Sequence, residues 1–185
     1  MPTLIIVTGA PGTGKTTLAQ KLARDLRLPL IAKDAIKETL FDTLGWQDRA
    51  WSKKLGGATY ELMYNFAETL LAAGQSLILE SNFQACALPR LRAWQTRYDL
   101  AFLQILLKCD SAILRERFKS RAADGERHPG HVDDVMSDQG IAAMLARSTA
   151  SLDLDGILLE IDTTDFDTLN YQDLLCAVQR TLEQI

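Results

Sequence analysis

The chain has 185 residues, 47% of them hydrophobic, and a formal net charge of −4 at pH 7. This length predicts a single domain, residues 1–185, and the acidic balance disfavours a protein that grips long nucleic acid by general electrostatics. Three cysteines without C-x-x-C spacing indicate reduced thiols, and two histidines argue against a histidine-rich metal site. No apolar run has membrane-spanning length, and the first predicted strand leaves no room for a leader peptide. A cytoplasmic protein without a membrane partner is expected.

Strand and helix patterns alternate along the chain. In chain order, the predicted elements are a strand at residues 4–7, a helix at 15–26, a strand at 29–32, a helix at 34–40, a long helix at 48–73, a strand at 76–79, a helix at 89–98, a strand at 101–107, a helix at 110–121, a helix at 133–147, a strand at 156–161 and a helix at 171–184. This alternation predicts an α/β fold in three layers, with a five-stranded parallel sheet between helices. Ligands are then expected beyond the carboxyl ends of the strands.

Local signals refine these elements. Asp34 and Asp110 are predicted to cap the helices that follow them. Gly56 and Gly57 are expected to kink or split the long helix, and Gly74 to end it. One face of the long helix is predicted to carry its packing residues, namely Trp51, Leu55, Thr59, Leu62, Phe66 and Leu70. The polar, glycine-containing stretch at 122–132 predicts a mobile loop.

A phosphate-binding loop of the form G-x-x-x-x-G-K-[ST] lies between the first predicted strand and helix. Its glycines let several backbone N–H groups point inward, and the helix start adds positive potential. Lys15 should reach the β and γ oxygens of a nucleoside triphosphate, and the Thr16 hydroxyl should hold Mg²⁺. The residues predicted to bind the nucleotide here are Gly9, Ala10, Pro11, Gly12, Thr13, Gly14, Lys15, Thr16 and Thr17.

Two classes of nucleotide-binding protein are disfavoured. The chain has no Asn-Lys-x-Asp sequence, so it lacks that route to guanine selection and a GTPase is not expected. It also has no apolar run ending in Asp-Glu, which a motor ATPase would show.

Asp34 follows the second predicted strand and should lie across the crevice from the γ-phosphate. A carboxylate there could accept the proton of an acceptor hydroxyl, although a helix cap is an equal and compatible interpretation. Lys37 lies one turn further on, where it could steady an acceptor or be a solvated surface lysine.

Glu80 ends the third predicted strand, and Ser81 and Asn82 follow it. The Glu80 carboxylate could hold Mg²⁺ through water, or orient Thr16 or the acceptor. The alternative is a strand-end carboxylate paired with a nearby cation, but polar residues at this edge favour function. Asn82 is a further candidate for contact with the acceptor.

Arginines cluster before and within the polar stretch. Arg117 could stack on adenine, and Arg121 could neutralise charge on a transferred phosphoryl group. Arginines at a helix end also simply complement the helix dipole. The loop after them favours a lid at about 121–132 that closes over ATP. His128 and His131 flank a Pro-Gly pair in that lid and favour turn chemistry over ligand contact.

Taken in order, these motifs resemble the small P-loop kinases of the polynucleotide-kinase, zeta-toxin and chloramphenicol-phosphotransferase group. The resemblance implies a P-loop NTPase fold of the nucleoside-kinase type and ATP-dependent phosphorylation of a hydroxyl. It matches Asp34 to the general base and Arg121 to the lid arginine. It also sets Lys37 where 5′-kinase domains carry an arginine for the acceptor's phosphate. A lysine cannot form the bidentate hydrogen bonds that an arginine makes with a phosphate, which weakens the polynucleotide-kinase interpretation.

The sequence therefore predicts an ATP- and Mg²⁺-dependent kinase acting on a small-molecule alcohol. Its acceptor pocket is expected between Asp34, Glu80 and the start of the long helix, with Trp46, Trp51, Lys53 and Lys54 as candidates. Two alternatives remain. One is a 5′-hydroxyl oligonucleotide kinase, and the other is a nucleotide-dependent switch or ATPase with little transfer.

Overall fold

The computed structural model describes residues 1–123, 127–132, 139–140, 142–143 and 150–184. Its strands and longer helices are β1 (Thr3–Gly9), α1 (Lys15–Leu26), β2 (Leu30–Ala32), α2 (Lys33–Leu44), α3 (Arg49–Ala72), β3 (Leu77–Glu80), α4 (Leu88–Tyr98), β4 (Ala101–Lys108), α5 (Ser111–Ala123), β5 (Ile157–Asp162) and α6 (Tyr171–Gln184). Short 3-10 turns lie at Ala85–Ala87, Pro129–His131 and Phe166–Thr168. The helix predicted at 133–147 falls largely outside the described residues.

All five strands form one parallel sheet in the order β2-β3-β1-β4-β5. The central strand β1 pairs with β3 through Leu4 and Leu77, and with β4 through Leu4 and Phe102. Because every strand points the same way, all five carboxyl ends meet at one edge of the sheet. The three-layer fold predicted from the sequence is confirmed.

Helices cover both faces of the sheet, which explains why the inner strands are apolar throughout. Leu4 and Ile6 of β1 pack toward α3 and α4, while Ile5 and Val7 pack toward α1 and α6. All four of these side chains are fully buried. Each contributes about 1.5–3 kcal/mol by leaving water, so the central strand is a rigid base for the loop that follows it. No helix within the described ranges has the length and apolarity to cross a membrane.

The start of α2 corrects one prediction. Asp34 is not the helix cap, because α2 begins at Lys33 and its N-cap is Ala32, which makes no side-chain capping bond. Strand β2 runs into the helix without an intervening loop, so the cap position falls on the last strand residue and Asp34 lies in the first turn. The helix also runs to Leu44 rather than ending near residue 40.

Helix α3 is capped by Asp48, whose Oδ1 accepts a 2.8 Å hydrogen bond from the backbone N–H of Trp51. The helix is not split at Gly56 and Gly57, because it continues through both. The predicted packing face is wrong in part, since Phe66 is 53% exposed. The buried side chains are Ser52, Leu55, Thr59, Met63, Tyr64, Ala67 and Leu71. In the second half of the helix the buried face lies one position further along than predicted, at Met63, Ala67 and Leu71.

Candidate active site

The phosphate-binding loop joins the centre of the sheet to α1. Gly9, Gly12 and Gly14 all have positive φ, at 142°, 91° and 82°. A Cβ at Gly14 would lie 2.5 Å from the ring of Phe166, and one at Gly9 would lie 2.4 Å from a backbone oxygen. Gly14 is also the N-cap of α1, and no side chain caps this helix. The N–H groups of its first turn therefore lack a side-chain acceptor and favour an anion at this end.

The P-loop residues divide into two groups by exposure. Gly9, Ala10 and Thr13 are buried, and the Thr13 hydroxyl donates a 2.9 Å hydrogen bond to the carbonyl oxygen of Ala10. The others line a cleft of about 460 Å³ at the carboxyl edge of the sheet; they are Pro11, Gly12, Gly14, Lys15, Thr16 and Thr17. The buried group holds the loop in shape, and the second group forms its binding surface.

The ammonium group of Lys15 is buried against the P-loop backbone. Its Nζ donates a 2.9 Å hydrogen bond to the carbonyl oxygen of Ala10. Burial lowers the pKa of Lys15 to about 8, against the opposing attraction of Glu80 and Asp34. A cation that is costly to bury gains most from an anionic ligand, so this environment suits phosphate.

Thr16 and Glu80 meet across the gap between α1 and β3. The Thr16 hydroxyl donates a 3.2 Å hydrogen bond to Oε2 of Glu80. Glu80 is only 4% exposed, and burial raises its pKa while Lys15 lowers it. Asn82, two residues further along, lines the same cleft. These groups therefore stand beside the P-loop, at the edge where the sequence predicts them.

Asp34 is held between two cations. Its Oδ1 lies 3.2 Å from Nζ of Lys33, and its Oδ2 lies 3.3 Å from Nη1 of Arg127. Burial acts to raise the pKa of this carboxyl, but Lys33 and Arg127 outweigh it and hold the pKa well below its usual range. Asp34 is therefore an ionised, weakly basic carboxylate at neutral pH.

Lys37 is not a solvated surface lysine, since it is 8% exposed in the wall of the cleft. Its Nζ donates a 2.9 Å hydrogen bond to Oγ of Ser52 and lies 5.1 Å from the centre of the Phe41 ring. Ser52, Arg49 and Lys53 bring the start of α3 into the same wall. Sequence reasoning missed Arg49 and Ser52. The signal that could have found them is their spacing of three, which places both side chains on the same face of one helix.

Of the four residues suggested for the acceptor pocket, Lys53 alone lines the described cleft. Trp46 is 49% exposed, and Lys54 lies over the ring of Trp51 with its Nζ 5.4 Å from the ring centre. The Trp51 indole donates a 2.9 Å hydrogen bond to the carbonyl oxygen of Gly45. Trp51 therefore fastens the turn between α2 and α3.

The two arginines of α5 face different surroundings. Arg121 lines the cleft and is exposed to solvent. The Arg117 guanidinium instead donates hydrogen bonds of 2.9 Å to the carbonyl oxygens of Thr163 and Thr164. It clamps the loop after β5, and it is not among the described residues that line the cleft. Its predicted stacking on adenine stays a prediction.

Residues 127–132 of the predicted lid pack against α2. The His128 ring stacks on Phe41 at 5.1 Å between centroids, and the His131 ring meets Phe41 edge-on at 5.3 Å. Arg49 of α3 donates to the carbonyl oxygens of His131 and Val132, at 3.3 and 3.2 Å. The helix before this segment extends to Ala123, so the polar loop starts later than predicted.

The donor set of the cleft can be tested against a divalent cation. Among the described residues, no group of three or more His, Cys, Asp or Glu side chains could hold a metal ion by itself. Mg²⁺ usually takes one or two protein oxygens and completes its shell with water and phosphate. The hydroxyl of Thr16 and the carboxylate of Glu80 fit that requirement.

Comparisons with known proteins agree with this fold. Residues 4–147 match the model of a family described as an AAA domain, AAA_33. The crystal structure of a candidate kinase from Chloroflexus aurantiacus J-10-fl is 43% identical, with a TM-score of 0.91 over 97% of this chain and 98% of that chain. No curated protein matches the chain.

More distant structures share the fold alone. A sugar kinase from Janibacter sp. HTCC2649 is 14% identical, with a TM-score of 0.60 over 99% of this chain and 95% of that chain. An APS kinase from Mycobacterium tuberculosis, crystallised with AMPPNP and APS, is 15% identical, with a TM-score of 0.59 over 98% of each chain.

Proposed function

This chain belongs to the AAA domain family AAA_33, a P-loop kinase-like family, and from that premise we propose that it transfers the γ-phosphate of ATP to a hydroxyl group of a small molecule. One observation carries the proposal. Lys15, Thr16 and Asp34 line a single cleft, so the side chains proposed to bind the phosphate donor and the carboxylate proposed to meet the acceptor lie together.

The P-loop supplies the donor half of the site. The uncapped start of α1 and the ammonium of Lys15 both favour a triphosphate. ATP is the proposed nucleotide because the chain lacks an Asn-Lys-x-Asp sequence. Thr16 and Glu80 would hold Mg²⁺, which neutralises phosphate charge and polarises the phosphoryl oxygens when bound.

Asp34 supplies the acceptor half. Its carboxylate would accept a hydrogen bond from the attacking hydroxyl and take its proton as the phosphoryl group transfers. A weakly basic carboxylate suits this role, because a loose transition state needs the nucleophile aligned more than deprotonated early. Lys37 and Asn82, which line the same cleft, would contact the acceptor.

Arg121 and the segment at 121–132 would complete the site. Arg121 lines the cleft, where its guanidinium would meet charge that develops on the transferred group. Closure of the segment as a lid would exclude water and limit wasteful ATP hydrolysis.

The size of the cleft supports a small acceptor. Its volume of about 460 Å³ lies within the range of roughly 300–1,000 Å³ that is usual for small-molecule sites. The sugar kinase and APS kinase neighbours are named for small-molecule acceptors as well.

The test is ADP release from ATP and Mg²⁺ in the presence of nucleosides, sugars, nucleotide-sugars, hydroxylated antibiotics, and short 5′-hydroxyl RNA and DNA. One class of small acceptor should raise turnover well above background. Asp34→Asn should remove most of that rise, by about 10²–10⁴-fold. Asp99→Asn is the matched control, since Asp99 is an exposed helix C-cap in a left-handed conformation that Asn also tolerates.

Two results would point elsewhere. Turnover raised by oligonucleotides alone, with steep loss at higher salt, would make the chain a 5′-hydroxyl kinase. ADP released at one slow rate with every acceptor, and unchanged by Asp34→Asn, would leave a switch or an ATPase.

A further inference from the structure

A chain of hydrogen-bonded side chains leads from α2 through the lid segment and back to Asp34. We propose that Arg127 is a positioning residue for Asp34, and that Glu38 and His131 hold its guanidinium in the orientation that presents it to the carboxylate. The inference rests on the proposed role of Asp34 at the acceptor hydroxyl.

The contacts are continuous. Nη1 of Arg127 lies 3.3 Å from Oδ2 of Asp34, and Nη2 of the same guanidinium lies 3.1 Å from Nδ1 of His131. On the other side of the imidazole ring, Nε2 lies 3.0 Å from Oε1 of Glu38. Arg127 and Asp34 are 93 residues apart, as are His131 and Glu38. The fold therefore brings the lid segment onto α2 at two linked points.

The contacts assign one tautomer to His131. Burial and the charge of Arg127 lower the pKa of His131 to about 3, so its ring is neutral at pH 7 and carries one proton. A guanidinium only donates, so Nδ1 must accept from Arg127. The proton then lies on Nε2, where it is donated to Glu38. Glu38 thus favours the one form of the ring that can hold Arg127.

The His131 ring is itself fixed. It is 4% exposed, lies edge-on against Phe41, and belongs to a turn whose carbonyl oxygens accept hydrogen bonds from Arg49. An imidazole with no freedom to rotate gives the flexible arginine side chain a defined endpoint. Without that endpoint, the guanidinium would lose much of its orientation toward Asp34.

The charges around Asp34 show what Arg127 contributes. Lys33 comes from α2, Lys15 from α1, and Arg127 from the lid segment. Glu80 from β3 and Glu38 from α2 repel the carboxylate. Lys33 and Arg127 contact different oxygens of Asp34, so together they set the plane of the carboxylate. Each oxygen keeps a further lone pair, which leaves room for an acceptor hydroxyl.

The kinetic test compares Arg127→Ala and Arg127→Lys with wild type and with Arg115→Ala, a control at an exposed site on α5. Arg127→Ala should lower kcat with the acceptor on the order of 10²-fold, as expected for a misplaced reacting group, and should leave the Kd for ATP unchanged. When the pH is lowered, the variant should also lose activity at a higher pH than wild type does, because its Asp34 carboxylate lacks a stabilising cation and is protonated more easily. Added guanidinium should restore part of kcat.

Arg127→Lys separates charge from position. The lysine keeps a cation near Asp34 but cannot bridge Asp34 and His131 at once. The pH at which activity is lost on acidification should therefore match that of wild type, while kcat falls in part. Unchanged kcat in Arg127→Ala overturns the proposal. Equal losses in ATP affinity and rate would also overturn it, since Arg127 would then act on the nucleotide.

A second readout needs no turnover, so it separates failure of this inference from failure of the kinase proposal. Nitrogen-15 NMR of the full chain should show His131 protonated at Nε2 and bare at Nδ1. Carboxyl carbon NMR should show that Arg127→Ala raises the pKa of Asp34 relative to wild type. A proton on Nδ1, or an unchanged Asp34 pKa, would contradict the positioning role whatever the acceptor.

Discussion

The hydroxyl of Thr16 lies 3.2 Å from Oε2 of Glu80, although the two residues are 64 positions apart. The parallel pairing of β1 with β3 explains this meeting, because it aligns Val7 with Glu80 just before the P-loop begins. A hydroxyl and a buried carboxylate are thereby fixed beside the proposed phosphate site. The pair offers oxygen ligands of the type that Mg²⁺ prefers.

Replacing Glu80 with Gln should weaken the binding of Mg²⁺ without changing the shape of the site. The amide oxygen can still accept from Thr16, but the negative charge is lost. We expect the Mg²⁺ concentration for half-maximal activity to rise by roughly 10- to 100-fold. Glu61→Gln is the control, since Glu61 pairs with Arg90 on the surface. The same magnesium titration curve for Glu80→Gln and wild type would exclude Glu80 from the metal site.

The affinity for ATP should fall as the pH rises through about 8. Burial lowers the pKa of Lys15 to about 8, so the free protein loses this positive charge above that value. Only the protonated ammonium attracts phosphate. Well above pH 8, the affinity for ATP should therefore fall by about tenfold for each pH unit. A fluorescent ATP analogue titrated between pH 7.5 and 9.5 measures this.

Lys15→Arg provides the comparison for that titration. A guanidinium stays charged throughout this range, so the alkaline fall should disappear even if overall affinity is lower. A fall of equal slope in both proteins would assign it to another group.

The fold could be predicted from local sequence signals. Apolar runs with β-branched residues marked the strands, and Asp110 caps the helix predicted for it by accepting a 2.8 Å hydrogen bond from the N–H of Ala112. The P-loop was equally clear, because its spacing and flanking elements are all within a short stretch of chain. Glu80 followed from the rule that strand ends line the crevice.

The remaining features could not be predicted from the sequence, chiefly because they depend on long-range packing. The pairing of Arg127 with Asp34 and the clamp of Arg117 on Thr163 join residues that no local pattern connects. Burial of Lys37 depends on Ser52 from another helix, so the lysine looked like a surface residue in the sequence. The cap predicted at Asp34 failed because no loop separates β2 from α2. Tertiary contacts decided each of these cases except the cap, which depended on where β2 ends.

Loss of the Arg117 clamp should destabilise the protein before any nucleotide binds. Its two hydrogen bonds to the carbonyl oxygens of Thr163 and Thr164 hold the loop after β5 against α5. Arg117→Ala should lower the free energy of unfolding by about 1.5–3 kcal/mol, as for bonds to a charged donor. Arg115→Ala, at an exposed position of the same helix, should change it little. Equal midpoints of urea unfolding for both variants would rule the clamp out as a source of stability.

A matched pair of glycine variants tests how the lid segment is attached. A Cβ at Gly130 would lie 2.6 Å from ring atoms of Phe41, which is 1% exposed and cannot move aside cheaply. Gly130→Ala should therefore lift the turn at Pro129–His131 off α2 and lower stability by about 1–3 kcal/mol. Limited digestion with trypsin should cut faster after Arg127, because the displaced turn no longer holds that residue against Asp34.

Gly57→Ala should act in the opposite direction. No atom lies within 4 Å of a Cβ at Gly57, and the residue is exposed in the interior of α3. Alanine there should raise the free energy of unfolding by about 0.5–1 kcal/mol and leave digestion after Arg127 unchanged. If Gly130→Ala is cut no faster than Gly57→Ala, the turn is not fastened through Phe41. The anchoring of His131 would then have to come from Arg49, Glu38 and Arg127 among the contacts described above.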